Sequence, residues 1–184
     1  TAYRRQRQMC IRDSPTSSLL ATGSADGTVK VWDLAGAYCT HVFRGHGGVL
    51  SALCWIVQRE QNVVRLATGC VDGKVRVWDL RASKQASSKP LAVLGAHAGV
   101  VRALGIAQDG TTLVSGARDQ TLAIWNVRGE RFQRRELCTA GERIEALGFL
   151  DGHIFYTAGS GGRVRLWDAD RAEPCLLYTS PSPR

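Results

Sequence analysis

The chain has 184 residues, 44% of them apolar and 22% charged, and 24 basic against 16 acidic side chains give it a net charge of +8. No apolar run approaches the roughly 20 residues a membrane helix needs, and the opening "TAYRRQRQMC" lacks the apolar stretch of a signal peptide, so the expectation is an intracellular protein with no membrane partner. Cys10, Cys39, Cys54, Cys70, Cys138 and Cys175 form no C-x-x-C pair and meet no histidine at zinc-finger spacing, so no metal, cofactor or disulfide framework is expected.

Taken in chain order, the first feature is a basic end. Arg4, Arg5, Arg7 and Arg12 against Asp13, together with Arg184 at the far end, account for four of the eight net charges. Met9-Cys10-Ile11-Arg12-Asp13 can be encoded by ATG TGT ATA AGA GAC, and the reverse complement of that string reads through Cys175-Leu176-Leu177-Tyr178-Thr179 as TGT CTC TTA TAC ACA. The two ends therefore look like one short DNA sequence in opposite orientations, as translated sequencing adapters do. Residues 1–14 are expected to be adapter-derived and disordered, residues 175–184 to be adapter-derived, and 15–174 to hold the fold.

Within 15–174 short apolar runs alternate with turn signals: "THVFRG", "VLSALCWIV", "RLATGC" and "KVRVWDL", then "PLAVLG", "VVRALGIA", "TTLVSG" and "TLAIWNV". Such runs predict antiparallel meanders. Asp26-Gly27 and Asp72-Gly73 separate two runs by two residues, as a tight hairpin of positive φ prefers; Asp109-Gly110 and Asp151-Gly152 do so one hairpin earlier, and Asp119-Gln120 fits that turn less well. No stretch of 10–12 residues keeps a helical period, which argues against a βαβ fold.

The meander repeats. "TGSADGTVKVWDL" ends near Trp32, "TGCVDGKVRVWDL" near Trp78, "SGARDQTLAIWNV" near Trp125 and "TAGSGGRVRLWDA" near Trp167, at spacings of 46, 47 and 42 residues. A period in the forties with a terminal Trp-Asp marks propeller blades. These phrases resemble WD40 repeats, which implies an all-β fold, a partial β-propeller of about three and a half four-stranded blades. A ring of seven such repeats needs roughly 300 residues, so the chain is expected to open inside one blade, stop after the fourth tryptophan and leave unpaired edges prone to association.

A hydroxyl residue stands four places before each turn acid and a tryptophan six places after it: Thr22, Asp26, Trp32; Thr68, Asp72, Trp78; Ser115, Asp119, Trp125. His46 and His97 precede the last two sets. In WD40 proteins the matching quartet is a buried relay from tryptophan N–H to hydroxyl to imidazole to carboxylate. The resemblance thus assigns His46, Thr68, Asp72, Trp78, His97, Ser115, Asp119 and Trp125 to scaffolding. A serine, histidine and aspartate also suggest a hydrolase, but the sequence has no G-x-S-x-G elbow, and one enzyme needs one site where this trio recurs. No catalytic residue and no small-molecule substrate are expected. Asn126, Gly161 and the absent fourth histidine depart from the pattern, so the fourth blade is expected to lack the relay.

"VWDLAGAYCTHVFRGHGGVLSAL", the order "PLAVLGAHAGVVRAL" then "LVSGARDQTLAIWNV", and the degenerate "CTAGERIEALGFL" before "IFYTAGSGGRVRLW" resemble part of the first propeller of the transducin-beta-like nucleolar WD40 family. That resemblance implies a scaffold subunit of the small-subunit processome, in the nucleolus of the nucleus, contacting other proteins of a ribonucleoprotein assembly and pre-rRNA or small nucleolar RNA. "RGERFQRRE", residues 128–136, is the densest basic cluster of the body. Its Arg131, Arg134 and Arg135 are the candidate RNA or partner contacts, weighed against a plain solvated strand. A ubiquitin-ligase substrate receptor, or a signalling or trafficking adaptor in the cytoplasm, remains the rival reading.

Overall fold

The computed structural model describes residues 10–14, 18–81, 89–129, 131–171 and 173–179, the last of these by its backbone course. Among the described residues sixteen strands fall in chain order into four antiparallel four-stranded sheets, each a simple meander. Blade one is β1 (Cys10–Asp13), β2 (Leu19–Gly23), β3 (Val29–Asp33) and β4 (Tyr38–Phe43). Blade two is β5 (Leu50–Gln58), β6 (Val63–Cys70), β7 (Lys74–Asp79) and β8 (Ala92–Gly95). Blade three is β9 (Val101–Ile106), β10 (Thr112–Ala117), β11 (Thr121–Asn126) and β12 (Gln133–Thr139). Blade four is β13 (Ile144–Asp151), β14 (Ile154–Gly159), β15 (Arg163–Asp168) and β16 (Glu173–Thr179).

The first strands β1, β5, β9 and β13 pack side by side in that order. Blades are therefore joined face to face along an inner edge, the arrangement of a partial propeller. Among the described residues the helical content is one 3₁₀ turn, Arg59–Gln61, closed by Asn62 at φ 49°. Three apolar cores lie between successive blades. Val29, Val31, Phe43, Leu50, Leu66 and Trp78 join blades one and two. Ile56, Val75, Val77, Val101, Leu113 and Trp125 join two and three, and Val114, Leu122, Ile124, Ile144, Phe155 and Trp167 join three and four. A sheet covered on both faces loses the alternation of a half-exposed strand, and β6 and β10 are buried along nearly their whole length.

Four complete sheets form where about three and a half blades were expected. Cys10–Asp13 departs from the disorder expected of residues 1–14: it pairs with β2 from Cys10 opposite Gly23 to Asp13 opposite Leu20, and residues 1–9 lie outside the described ones. At the other end β16 pairs with β15. A sheet edge presents backbone N–H and C=O groups, which accept an extended segment of almost any sequence. The side chains of Ile11, Arg12 and Asp13 are exposed; β1 is held by its pairing with β2, by the Trp55 indole, which donates to the Arg12 carbonyl at 3.1 Å, and by Cys10, which packs on the core between blades one and two.

Candidate functional site

The third strand of each blade carries, one residue before its end, a tryptophan whose indole reaches diagonally back across its sheet. Thr68 stands opposite Arg76 in the ladder, so Trp78, two residues on, lies on the same face. Trp32, Trp78, Trp125 and Trp167 donate Nε1–H to Thr22, Thr68, Ser115 and Thr157 at 3.0, 2.9, 3.0 and 2.9 Å. The ladder to the fourth strand slips by one residue just before Trp32, Trp125 and Trp167, and in blade two it ends at Val77. Such bulges re-aim a side chain, here turning the indole into the gap between blades.

The hydroxyls continue into the imidazoles. Thr68 Oγ1 lies 2.9 Å from His46 Nε2 and Ser115 Oγ 2.7 Å from His97 Nε2. Beyond that point the two blades differ, and neither imidazole meets its carboxylate directly. In blade two the Arg76 guanidinium stands between them, 3.2 Å from His46 Nδ1 and 2.8 Å from Asp72 Oδ2. In blade three Thr121 does so, its Oγ1 2.5 Å from His97 Nδ1 and 2.6 Å from Asp119 Oδ1, while imidazole and carboxylate are 3.8 Å apart.

These partners fix the tautomers. A guanidinium only donates, so His46 Nδ1 accepts and its Nε2–H donates to Thr68, whose own proton goes to the Arg76 carbonyl at 3.2 Å. Thr121 gives its proton to Asp119, so His97 Nδ1–H donates to Thr121 and Nε2 accepts the Ser115 hydroxyl. The two relays run in opposite directions. Burial, and next the Arg76 cation, pull His46 down to about 4 against the pull of Asp72; burial likewise lowers His97 against Asp119. Both rings are neutral near pH 7.

Each turn acid also binds the loop of the preceding histidine. Asp72 accepts from the Gly47 amide at 3.3 Å, and Asp119 from the Ala98 and Gly99 amides at 2.6 and 3.0 Å. Burial raises Asp72, but the Arg76 hydrogen bond, the Lys74 amide and the Arg76 charge outweigh it, and the carboxyl titrates at about 2. The residue after each acid is left-handed in blades one to three, as is its counterpart in blade four: Gly27, Gly73, Gln120 and Gly162 have φ of 77°, 74°, 72° and 74°. Gln120 thus takes the conformation its sequence fitted less well.

Blade four keeps the indole–hydroxyl bond but not the histidine. Glu142 occupies the loop instead, accepts the Gly161 amide at 2.8 Å and pairs with Arg165. Position by position Arg165 matches Arg76, and Gly161 stands where the other blades have their acid. The polarity is therefore inverted: the loop supplies the carboxylate and the turn supplies the donor. Sequence reading missed Arg76, Thr121, Glu142 and Arg165; the one signal for the last two was an acid after Gly141 where His46 follows Gly45.

Two buried side chains of blade two, also missed, hold a loop of blade three. Arg65 donates to the Gly129 carbonyl, stands over the Phe132 ring at 5.6 Å and lies 3.8 Å from Asp79. Gln58 donates to the Gly110 and Val127 carbonyls at 2.8 and 3.0 Å. The clamped loop leads into β12, where Arg134 and Arg135 are exposed as Arg131 is just before it; Arg135 pairs with Asp170 of blade four at 3.1 Å.

Ser115 is 0% exposed, and its hydroxyl is engaged by Trp125 and His97, so the arrangement joins strands and gives a substrate no access to the oxygen. Along the inner strands a cleft of about 330 Å³ is lined by Arg12, Ser51, Arg102 and Glu145, with Arg102 and Arg118 on Glu145 at 2.9 and 3.4 Å. Among the described residues no three potential ligands converge as a metal site, Cys10, Cys39, Cys54, Cys70 and Cys138 are free thiols, and no helix is long and apolar enough to cross a membrane.

The chain is similar to human transducin beta-like protein 3, 36% identical over 181 residues that cover 92% of this chain and 21% of that protein. It is similar to the U3 small nucleolar RNA-associated protein 13 of Saccharomyces cerevisiae, 34% identical over 171 residues, 84% of this chain and 20% of that protein. It thus spans about a fifth of the length of these relatives. A chain in the crystal structure of a mitotic checkpoint complex superposes with a TM-score of 0.79 over 96% of this chain and 52% of that one, at 19% identity, a likeness of fold alone. The family model described as "WD domain, G-beta repeat" matches residues 6–33, 37–79 and 88–126, and with its four tryptophan-anchored blades the chain belongs to the WD40 family.

Proposed function

We propose that this chain is a non-catalytic WD40 scaffold of ribosome biogenesis, acting in the nucleolus within the small-subunit processome and contacting other proteins of that ribonucleoprotein assembly. The observation that carries the reading is the identity of about a third to two relatives over 84% and 92% of this chain, one of them named for its association with U3 small nucleolar RNA. The relay supports the non-catalytic part: His46, Thr68, Asp72, Trp78, His97, Ser115, Asp119 and Trp125 spend their polar atoms on one another, on the Arg76 and Thr121 side chains and on the backbone, and their role is to pin strands and loops together.

Affinity purification of the full protein from cells tests the assembly. Processome subunits are the expected co-purifying set, with nucleolar staining of a tagged copy. Cullin or Skp-type partners, or coat and G-protein partners in the cytoplasm, would replace the reading by the ubiquitin-ligase or trafficking adaptor. Within the proposal Arg131, Arg134 and Arg135 touch pre-rRNA phosphates, a role supported by their exposure on one loop and strand. Reversing their charge is expected to reduce pre-rRNA crosslinking; unchanged crosslinking leaves a solvated strand. The adapter origin of residues 1–14 and 175–184 belongs to the same proposal, and an exon encoding either end in continuity with the body would defeat it.

A further inference from the structure

Four aspartates are followed by glycine, at 26–27, 72–73, 109–110 and 151–152. Such a pair carries a latent reaction, because a glycine nitrogen has no Cβ beside it and can approach the preceding carboxyl carbon. In blades one to three both reacting groups are held. Asp26, Asp72 and Asp109 accept the amides of Thr28, Lys74 and Thr111 at 2.9, 3.1 and 2.9 Å, which points each carboxylate forward along the turn. Gly27, Gly73 and Gly110 donate to the carbonyls of Ser24, Cys70 and Ala107 at 3.2, 3.3 and 2.9 Å. All three glycines are buried, and a Cβ on them would stand within 3.2 Å of the carbonyl oxygens of His46, His97 and Val57 respectively.

Asp151-Gly152 has none of these restraints. It lies at the tip of the β13–β14 hairpin, where Asp151 pairs with Ile154 across Gly152 and His153. Asp151, Gly152 and His153 are all exposed, and nothing lies within 4 Å of the place a Gly152 Cβ would take. Among the described residues the Asp151 carboxylate accepts no hydrogen bond and forms no ion pair, and the Gly152 amide donates to no carbonyl. Nucleophile, carboxyl and solvent therefore meet at this turn alone of the four.

We propose that Asp151-Gly152 is a covalent modification site, where aspartate isomerises spontaneously to isoaspartate and makes the chain a substrate for an isoaspartyl carboxyl methyltransferase. The Gly152 nitrogen attacks Asp151 Cγ. A C–N bond forms, the C–O bond breaks, and the carboxyl hydroxyl leaves with the amide proton as water. Water then adds to the other carbonyl carbon of the cyclic imide, the former main-chain carbonyl of Asp151, and breaks its bond to nitrogen. Asp151 is left joined to Gly152 through its β-carboxyl, with the α-carboxylate as the side group; one water leaves, one returns, and nothing is oxidised or reduced. The main chain gains a methylene where the β13 ladder ends, so the pairing of Asp151 with Ile154 is what the change disrupts. Exposed tips are where such covalent change concentrates. The inference goes beyond the processome reading and stands or falls apart from it.

Ageing the full chain at neutral pH tests it, with isoaspartate read by methyl transfer from labelled S-adenosylmethionine and located by fragmentation of the proteolytic peptides. The level at 151 is expected to exceed that at 26, 72 or 109 by about tenfold or more, since two hydrogen bonds of ordinary net strength must open at each of those. In denaturant the four pairs should isomerise at comparable rates, which assigns the difference to the fold. Asp151→Glu, whose longer side chain closes a larger and slower-forming ring, should remove the signal; position 151 is exposed, so the variant should melt as the parent does. No isoaspartate at 151, equal levels at the four pairs of the folded chain, the same excess at 151 in denaturant, or an undiminished signal in the variant would each overturn the proposal.

Discussion

Replacing Trp78 by alanine removes an indole that is 1% exposed, stacks on Phe43 at 4.8 Å and donates to Thr68. The expected loss is about 3–5 kcal/mol, whereas Asp72→Asn, which breaks the Arg76 pair and leaves that guanidinium beside His46, should cost about 1–3 kcal/mol. Denaturant midpoints at unchanged slope measure both, and an Asp72 variant less stable than the Trp78 variant would reverse the ranking. The same residues make stability depend on pH. An unfolded histidine titrates near 6.5, while folded His46 does so at about 4, so between those values the unfolded chain binds a proton that the folded chain refuses. The stability contributed by neutral His46 is full above pH 6.5 and is lost as pH falls towards 4; His97 acts in the same direction. His46→Gln should be less stable than the parent at pH 7, with a shallower decline towards pH 4. Equal declines in melting temperature would show that His46 titrates normally. Part of this was expected from sequence: the resemblance to WD40 repeats assigned His46, Thr68, Asp72 and Trp78 to one relay. The intermediary was not, because Arg76 enters the relay through a long side chain and Thr121 through a short one, and the two share no position in the repeat.

Turns show how elements interlock. Gly73 and Gly162 have the same φ of 74° at the same position of blades two and four. A Cβ on Gly73 would overlap the His97 carbonyl oxygen of the next blade's loop, whereas around Gly162 there is open space. Gly162→Ala should therefore cost only the left-handed strain, about 1–2 kcal/mol. Gly73→Ala should add about 1–3 kcal/mol for overpacking, and equal losses in thermal melts would remove the interlock. Asp-Gly pairs made these turns readable at 26–27 and 72–73. At 119–120 the pair was Asp-Gln, and the turn forms because the Asp119 carboxylate grips Thr121, Ala98 and Gly99 from one place. Blade four escaped sequence reading for a related reason. Glu142 and Arg165 rebuild the tie between loop and strand with charges of opposite placement, so the repeat looked decayed where its chemistry had been exchanged.

At the scale of the molecule, three interblade cores serve four blades, and the consequence is visible along one equivalent position. Val29, Val75 and Leu122 are each 0% exposed, while Val164, their counterpart in β15, is 37% exposed and Leu150 in β13 is 56%. The face that buries a third strand elsewhere is open on blade four. Apolar sheet surface of this kind associates with another copy unless a further blade covers it. The chain by itself should therefore sediment as a concentration-dependent oligomer, and Leu150→Lys with Val164→Lys should shift it towards monomer while leaving the melt of blades one to three in place. Val75→Lys, which puts the same charge into the closed core between blades two and three, should instead unfold the chain. A parent that sediments as a single monomeric species and melts in one cooperative transition would mean that blade four's open face is not sticky, and that the stack closes its own ends by a packing absent from these four sheets.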